Sequence, residues 1–254
     1  MVEITINGVK AKSAEGITVL EQAEKMGIKI PTLCYHKALT PFGSCRLCSV
    51  EVTEGKRTRV VTACNYPIRR TIEIRTDTER ILKTRRLIVE FLLARCPGVE
   101  VIKDLAREMG ITGKRFPKED KDCILCGLCV RVCEEIIGVG AIDLVNRGVE
   151  EEVDTPYSIN SEVCIGCGAC VFVCPTGAVK SEDIERERRL ERWHTNLSLR
   201  RCKLCGETVG TEAQIEYLKK KIDLPKEIFE TCSRCKRKRY AEELMISHGL
   251  PRKE

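Results

Sequence analysis

The sequence predicts an α+β chain assembled from small metal-nucleated modules, and three observations predict it. Sixteen of the 17 cysteines fall into four groups of four at ligand-like spacings. Only 4% of the residues are aromatic, so the large apolar side chains that one extended core needs are scarce. Metal binding by several thiolates contributes the folding free energy that a small core lacks. The chain also begins with strand-like alternation, VEITINGVKAKS, broken at Asn7-Gly8, the dipeptide a tight hairpin turn favours. The cysteine groups divide the chain into residues 1–77, a helical linker at 78–117, a two-run domain at 118–180 and a helix with a small metal module at 181–254.

The two-run domain is the most specific signal. CILCGLCVRVC holds Cys123, Cys126, Cys129 and Cys133, and CIGCGACVFVCP holds Cys164, Cys167, Cys170 and Cys174, followed by Pro175. A C-x2-C-x2-C turn presents three thiolates to one iron-sulfur cube, and the fourth cysteine points toward the other cube, as in bacterial two-cluster ferredoxins. This assigns Cys123, Cys126, Cys129 and Cys174 to one 4Fe-4S cluster, and Cys164, Cys167, Cys170 and Cys133 to a second. Zinc prefers C-x2-C pairs held apart in sequence, a pattern these runs do not have.

In residues 1–77 a helix is expected from Thr18 to Met26, with Val19, Ala23 and Met26 on one face and a stop at Gly27. A loop with Cys34, Cys45 and Cys48 follows, then a strand from Ser49 to Thr53, a turn at Glu54-Gly55, a second strand ending in Cys64, and TIEIRT at 71–76. Hairpin, helix and further strands suggest a β-grasp fold. The spacing C-x10-C-x2-C-x15-C suits a 2Fe-2S cluster on Cys34, Cys45, Cys48 and Cys64, with Gly43 and Ser44 bringing backbone N–H groups near its sulfurs and Cys64 closing it from the neighbouring strand. A zinc site on these four cysteines is the alternative. His36 reads as a solvated loop residue.

The linker helix ERILKTRRLIVEFLLA, capped by Asp77 or Thr78, leads into RCPGVEVIKDLARE. Cys96 there is the cysteine left over from the groups of four and reads as a buried structural thiol. Beyond Pro175, SEDIERERRLERWHT is read as a helix with a solvated charged face. Two knuckles follow, Cys202-x2-Cys205-Gly206 and Cys232-x2-Cys235, separated by a helix from Glu212 to Ile222. Pairs so far apart suit a zinc-ribbon-like site, with a further 4Fe-4S cluster as the alternative.

The C-x10-C-x2-C loop followed by CILCGLCVRVCEE resembles the N-terminal region of the complex I 75 kDa-type subunit, of iron-only hydrogenases and of NAD-linked hydrogenase diaphorase subunits. The resemblance covers roughly residues 1 to 180. Those families carry a further His-x3-Cys-x2-Cys-x5-Cys site between the two cluster domains; here Cys96 stands where the histidine would be and the three cysteines are missing. The resemblance implies an iron-sulfur subunit of an NAD(P)H-linked complex, a hydrogenase or next a formate dehydrogenase, with electron bifurcation as a variant. A flavoprotein NAD(P)H-oxidoreductase subunit and a catalytic hydrogenase or formate dehydrogenase subunit are the implied partners.

The chain has no dinucleotide or P-loop glycine fingerprint and no legible acid-base or nucleophile constellation, so no catalytic residues are expected. His36, His194 and His248 are scattered and read as surface residues. The formal charge of +6 counts every cysteine as neutral. Three clusters and a four-thiolate zinc at about −2 each bring the loaded chain to about −2, which weakens any argument from charge to nucleic acid. A redox-sensing nucleic-acid protein using RCKRKR is the rival reading, and a self-sufficient oxidoreductase is another. The apolar stretch LIVEFLLA is too short for a membrane span and is interrupted by Glu90, and grouped thiolates without an export signal point to the cytoplasm.

Overall fold

The computed structural model describes residues 1–113, 115–223 and 225–247. The chain forms two compact units, Met1–Ile136 with Val173–Ala178, and Ile137–Phe172 with Val179–Glu254.

In the first unit, β1 (Val2–Ile6), β2 (Val9–Ser13), β3 (Ser49–Glu54), β4 (Arg57–Thr62) and β5 (Ile72–Arg75) make a five-stranded sheet, with α1 (Val19–Lys25) between β2 and β3 in the chain. The sheet order is β2-β1-β5-β3-β4, with β1 and β5 parallel and the other pairs antiparallel. Asn7 and Gly8 both take positive φ, 50° and 84°, as the two-residue turn between β1 and β2 requires. The Asn7 amide then accepts from the Thr76 N–H at 2.8 Å, pinning the turn beside the end of β5. Thr18 and Glu21 form a reciprocal capping box at the start of α1. Val19, Leu20 and Ala23 of that helix are buried with Ile4, Ile6, Val50, Val52, Ile72 and Ile74.

α2 (Glu79–Arg95) begins at Thr78, whose hydroxyl accepts the Ile81 N–H at 3.3 Å; of the two expected caps it is Thr78 that serves. α3 (Glu100–Glu108) packs with α2 around a second core of Leu33, Leu47, Val89, Val99, Ile102 and Ala106. Cys96, fully buried, belongs to this core. α4 (Leu128–Arg131) follows, and then a π-helical turn, Val132–Ile137, that carries Cys133.

The second unit holds the pair β6 (Asp143–Val145) and β7 (Glu152–Asp154), the short helix α5 (Ala169–Val173), and a sheet of β8 (Glu182–Ile184), β9 (Glu187–Leu190), β10 (Thr195–Arg201) and β11 (Thr208–Thr211) in the order β11-β10-β9-β8. α6 (Glu212–Lys221) starts at Thr211, whose hydroxyl accepts the Gln214 N–H, and α7 (Ser233–Ser247) follows.

The charged stretch after Pro175 is therefore a hairpin, not the expected helix. Glu182 faces Arg189, Asp183 faces Arg188 and Ile184 faces Glu187, with Glu185 in the turn at φ 51°. Arg188 grips Asp183 at 2.7 and 3.0 Å. That pair is five residues apart, off a shared helix face but directly opposed across a hairpin. Leu190 and Trp193 are buried.

Candidate iron-sulfur and metal centres

The loop after α1 carries Cys34 and Cys45, Cys48 immediately precedes β3, and Cys64 sits in a 3-10 turn, Ala63–Asn65, just past β4 rather than on a strand. Cys34, Cys48 and Cys64 are each about 1% exposed, and Cys45 is partly buried. Cys34 is lowered to about 5, chiefly by a hydrogen bond from the Cys45 thiol, with the Cys45 and Ser44 N–H groups adding to it; the Cys45 thiol is raised in return. Cys48 is lowered to about 7 by the Cys64 thiol, which is raised. Four thiols at one loop could supply two ligands to each of two irons sharing sulfides, and the Cys45 N–H, 3.4 Å from Cys34 Sγ, donates to one of these sulfurs. Gly43 makes the loop possible. Its φ is +74°, and a Cβ there would lie 2.9 Å from the Asn65 amide and 3.4 Å from the Thr62 hydroxyl.

Sequence reasoning did not single out Arg85, which braces the backbone on either side of Cys48. It is 6% exposed, and from α2 it donates to the carbonyls of Leu47 at 3.1 Å and Ser49 at 2.8 Å, on either side of Cys48. A lone arginine in a Lys/Arg-rich helix gives no sequence sign of this role.

In the first ferredoxin run, Leu125 and Gly127 take positive φ, 52° and 68°, and the Leu125 N–H lies 3.5 Å from Cys123 Sγ. Arg95, in the last turn of α2, donates to the Cys123 carbonyl at 3.0 Å. Cys126 and Cys129 are buried, and Cys174 lies in the same unit. Burial pushes the Cys126 thiol up to about 11, with the charges of Cys123, Cys174 and Cys34 adding to it. The four cysteines assigned to this cube all belong to the first unit.

In the second run Gly166 and Gly168 repeat that backbone, with φ of 62° and 76°. The Gly166 carbonyl accepts from Arg188 at 2.9 Å, the Ile165 carbonyl accepts from the Thr211 hydroxyl, and the buried Trp193 indole N–H donates to Cys170 Sγ at 3.4 Å. The sheet of the second unit therefore supports this run. Cys164, Cys167 and Cys170 belong to that unit, whereas Cys133 belongs to the first.

The C-terminal knuckles converge. Cys202 follows β10, Gly206 turns the chain at φ 75°, Cys232 precedes α7 and Cys235 lies in its first turn. The four sulfurs lie within 4.8 Å of one another, with Cys205 and Cys232 at 3.6 Å. The Cys232 N–H holds Cys202 down at about 6, while the Cys205 thiol drives Cys235 up to about 12.

Cys96 belongs to no group of three or more possible metal-binding side chains among the described residues; it is buried in the core between α2 and α3, and that burial raises its thiol to about 11. His36 accepts the Ala38 N–H through Nδ1, and His194 lies 3.5 Å from Asp154. His248 lies outside the described residues. Among the described residues no helix is long and apolar enough to cross a membrane.

Residues 1–79 match the 2Fe-2S iron-sulfur cluster binding domain, and residues 122–178 match a 4Fe-4S dicluster domain. A second 4Fe-4S dicluster family matches residues 156–209, a span that takes in Cys202 and Cys205 as well as the second run. The chain is 35% identical, over 85% of its own length, to the NADPH-Fe(3+) oxidoreductase subunit alpha of Geobacter sulfurreducens, of which it spans 28%. It is 32% identical over 72% of its length to the NADH-ubiquinone oxidoreductase 75 kDa subunit of Reclinomonas americana, of which it spans 30%. With the NADP-reducing hydrogenase subunit HndD of Solidesulfovibrio fructosivorans it shares 34% identity over 70% of its length and 36% of that subunit's. Its fold matches a chain of the NAD+-reducing [NiFe]-hydrogenase in the H2-reduced state with a TM-score of 0.54 and 29% identity, covering 61% of this chain and 74% of that one.

Proposed function

Because this chain carries a 2Fe-2S domain joined to 4Fe-4S dicluster domains and is homologous to the 75 kDa-type subunits of NADH oxidoreductases, to HndD and to NAD-reducing hydrogenase subunits, we propose that it is an electron-relay subunit of an NAD(P)H-linked complex. The observation that carries this reading is the arrangement of ligand thiols. Four buried or partly buried thiols gather at the N-terminal loop with the Cys45 N–H on Cys34 Sγ, and two C-x2-C-x2-C-x3-C runs follow, both with positive-φ residues between their cysteines and, in the first, the Leu125 N–H on Cys123 Sγ. Bound in these places, a 2Fe-2S cluster and two 4Fe-4S clusters supply one-electron acceptance and release. The residues of the chain do the rest. Buried Cys34, Cys48 and Cys64 exclude water, N–H donors to sulfur favour the more negative reduced state, and Arg85 fixes the backbone around Cys48.

In this reading electrons pass between a flavoprotein NAD(P)H-oxidoreductase subunit and a catalytic subunit, a hydrogenase in the first instance and a formate dehydrogenase in the second. The chain spans only 28 to 36% of the length of these curated relatives, so the activities of those larger proteins come to it only as this proposal. At the C-terminal group we propose a single zinc ion. A Zn–S bond of about 2.3 Å sets neighbouring sulfurs about 3.8 Å apart, whereas a cube spreads its thiolates on the order of 6 Å apart. The convergence of Cys202, Cys205, Cys232 and Cys235 suits the smaller tetrahedron.

Anaerobic purification followed by metal analysis tests the inventory. About ten irons and one zinc per chain are expected, and NADH alone should leave the cluster absorbance unchanged until a flavoprotein partner is added. Near four irons, or bleaching by NADH without a partner, contradicts the relay.

A further inference from the structure

The segment between Cys129 and Cys133 carries an arginine that no ligand role absorbs. Arg131 is 9% exposed and reaches back over about ninety residues of sequence to the N-terminal cluster loop. Its Nη2 donates to the Cys34 carbonyl at 2.8 Å and its Nη1 to the Thr40 carbonyl at 2.5 Å, while its guanidinium stands 5.6 Å from the Phe42 ring centre. The contact is reinforced on either side. Glu135 accepts the Thr40 N–H at 2.7 Å, and the Ser44 hydroxyl lies 3.4 Å from the Cys126 carbonyl. Phe42 covers Gly127, where a Cβ would meet the ring at 3.7 Å.

Arg131 is also a cation without an anion. Among the described residues no carboxylate lies within ion-pair distance of it, and its Nε is buried without a partner. Two carbonyl bonds do not compensate a buried full charge, which ordinarily needs a counter-charge close by. Besides the Glu135 carboxylate, which is engaged by the Thr40 N–H and makes no ion pair with Arg131, the anionic groups at hand are thiolates. Arg131 bonds the backbone of Cys34 on one side and stands two residues from Cys129 and Cys133 on the other.

We propose that Arg131 bridges the 2Fe-2S site and the first 4Fe-4S site, holding their ligand loops together and raising the reduction potential of both with one buried charge. The inference rests on the cluster reading above and adds a residue to it. Each site gains one negative charge when it takes an electron, so a fixed cation beside both favours both reduced states. The fork of the guanidinium spans two carbonyls that a lysine head could not hold together.

The test is an EPR-monitored redox titration of the full-length, iron-loaded protein, with dithionite as electron donor. Wild type comes first: absence of a 2Fe-2S signal, or of the cubane component that Cys126→Ser removes, defeats the cluster reading itself. In Arg131→Met at full iron content, both midpoints should move to more negative potential. An unshifted midpoint at either site overturns the bridge and leaves Arg131 a clamp for the loop. Arg131→Lys keeps the charge and loses the fork, so its potentials should stay near wild type while the magnetic interaction between the two reduced clusters weakens. If Arg131→Met fails to retain iron, Arg131→Lys decides, and an unchanged interaction or a shift to strongly negative potentials overturns the proposal.

Discussion

Trp193 is the only tryptophan of the chain, and it lies 1% exposed with its indole N–H 3.4 Å from Cys170 Sγ. A buried indole needs an acceptor, and a thiolate becomes a better one as its cluster is reduced. Trp193→Phe keeps most of the apolar volume and removes the donor. A differential hydrogen bond of about 1 kcal/mol corresponds to about 40 mV for one electron, so the midpoint of the cluster we propose at Cys170 should fall by roughly that amount at unchanged iron content. An unchanged midpoint in the variant would make Trp193 a packing residue only. Spacing made the cysteines legible in the sequence at this scale, because ligand geometry is local. Trp193, Arg85 and Arg131 were not legible as partners of the sites, since each reaches its cysteine or loop across 23 to 97 residues of chain. Cys96 was legible by subtraction: with no other cysteine beside it, it reads as a buried thiol, and it lies in the core between α2 and α3.

Among the elements, the two ferredoxin runs share a backbone but not a sequence. Leu125 and Gly166 occupy corresponding places, both at positive φ, and Leu125 bears the cost of a side chain in the left-handed region, about 1–2 kcal/mol. Gly166 has no such freedom to change. A Cβ there would lie 2.7 Å from a Leu197 methyl on β10 and 2.9 Å from the Thr211 methyl on β11. Gly166→Ala should therefore destabilise the second unit by about 2–4 kcal/mol, the left-handed penalty plus overpacking, and lower iron retention. Leu125→Gly should change stability by less than about 1 kcal/mol, relief of strain offsetting the added freedom of the unfolded chain. Thermal unfolding of the loaded proteins separates the two, and equal effects would mean the β10–β11 contact with Gly166 is unimportant. That contact was hidden in the sequence for a physical reason. Residues 181–195 carry so many charges that composition reads as a solvated helix, whereas the decisive feature is opposite signs meeting across a turn at Glu185. The N-terminal strands were legible because alternation and Asn-Gly each state a local rule that the fold obeys.

For the whole chain, the cysteine groups sort by the spread of their sulfurs as well as by their spacing, and this bears on charge and on partners. The formal +6 is offset once thiolates carry metal, so the basic side chains near the C-terminal group stand next to a tetrathiolate of about −2. Lys203 pairs with Glu230 at 2.8 Å beside this group, and Lys219, Lys220 and Lys221 close α6. A closed four-thiolate zinc contributes folding energy without accepting an electron, and would hold β10, the knuckle at Gly206 and the start of α7 as one rigid surface. Cys232→Ser should then release about one zinc per chain, lower the unfolding temperature and loosen association with the complex, while the iron count stays near ten and every reducible EPR component persists. The dicluster match that runs on to residue 209 supports the opposite outcome, in which Cys202 and Cys205 help to hold a third cube. Loss of about four irons together with one EPR component would establish that outcome and extend the relay into the C-terminal module, against the 4.8 Å convergence of its sulfurs.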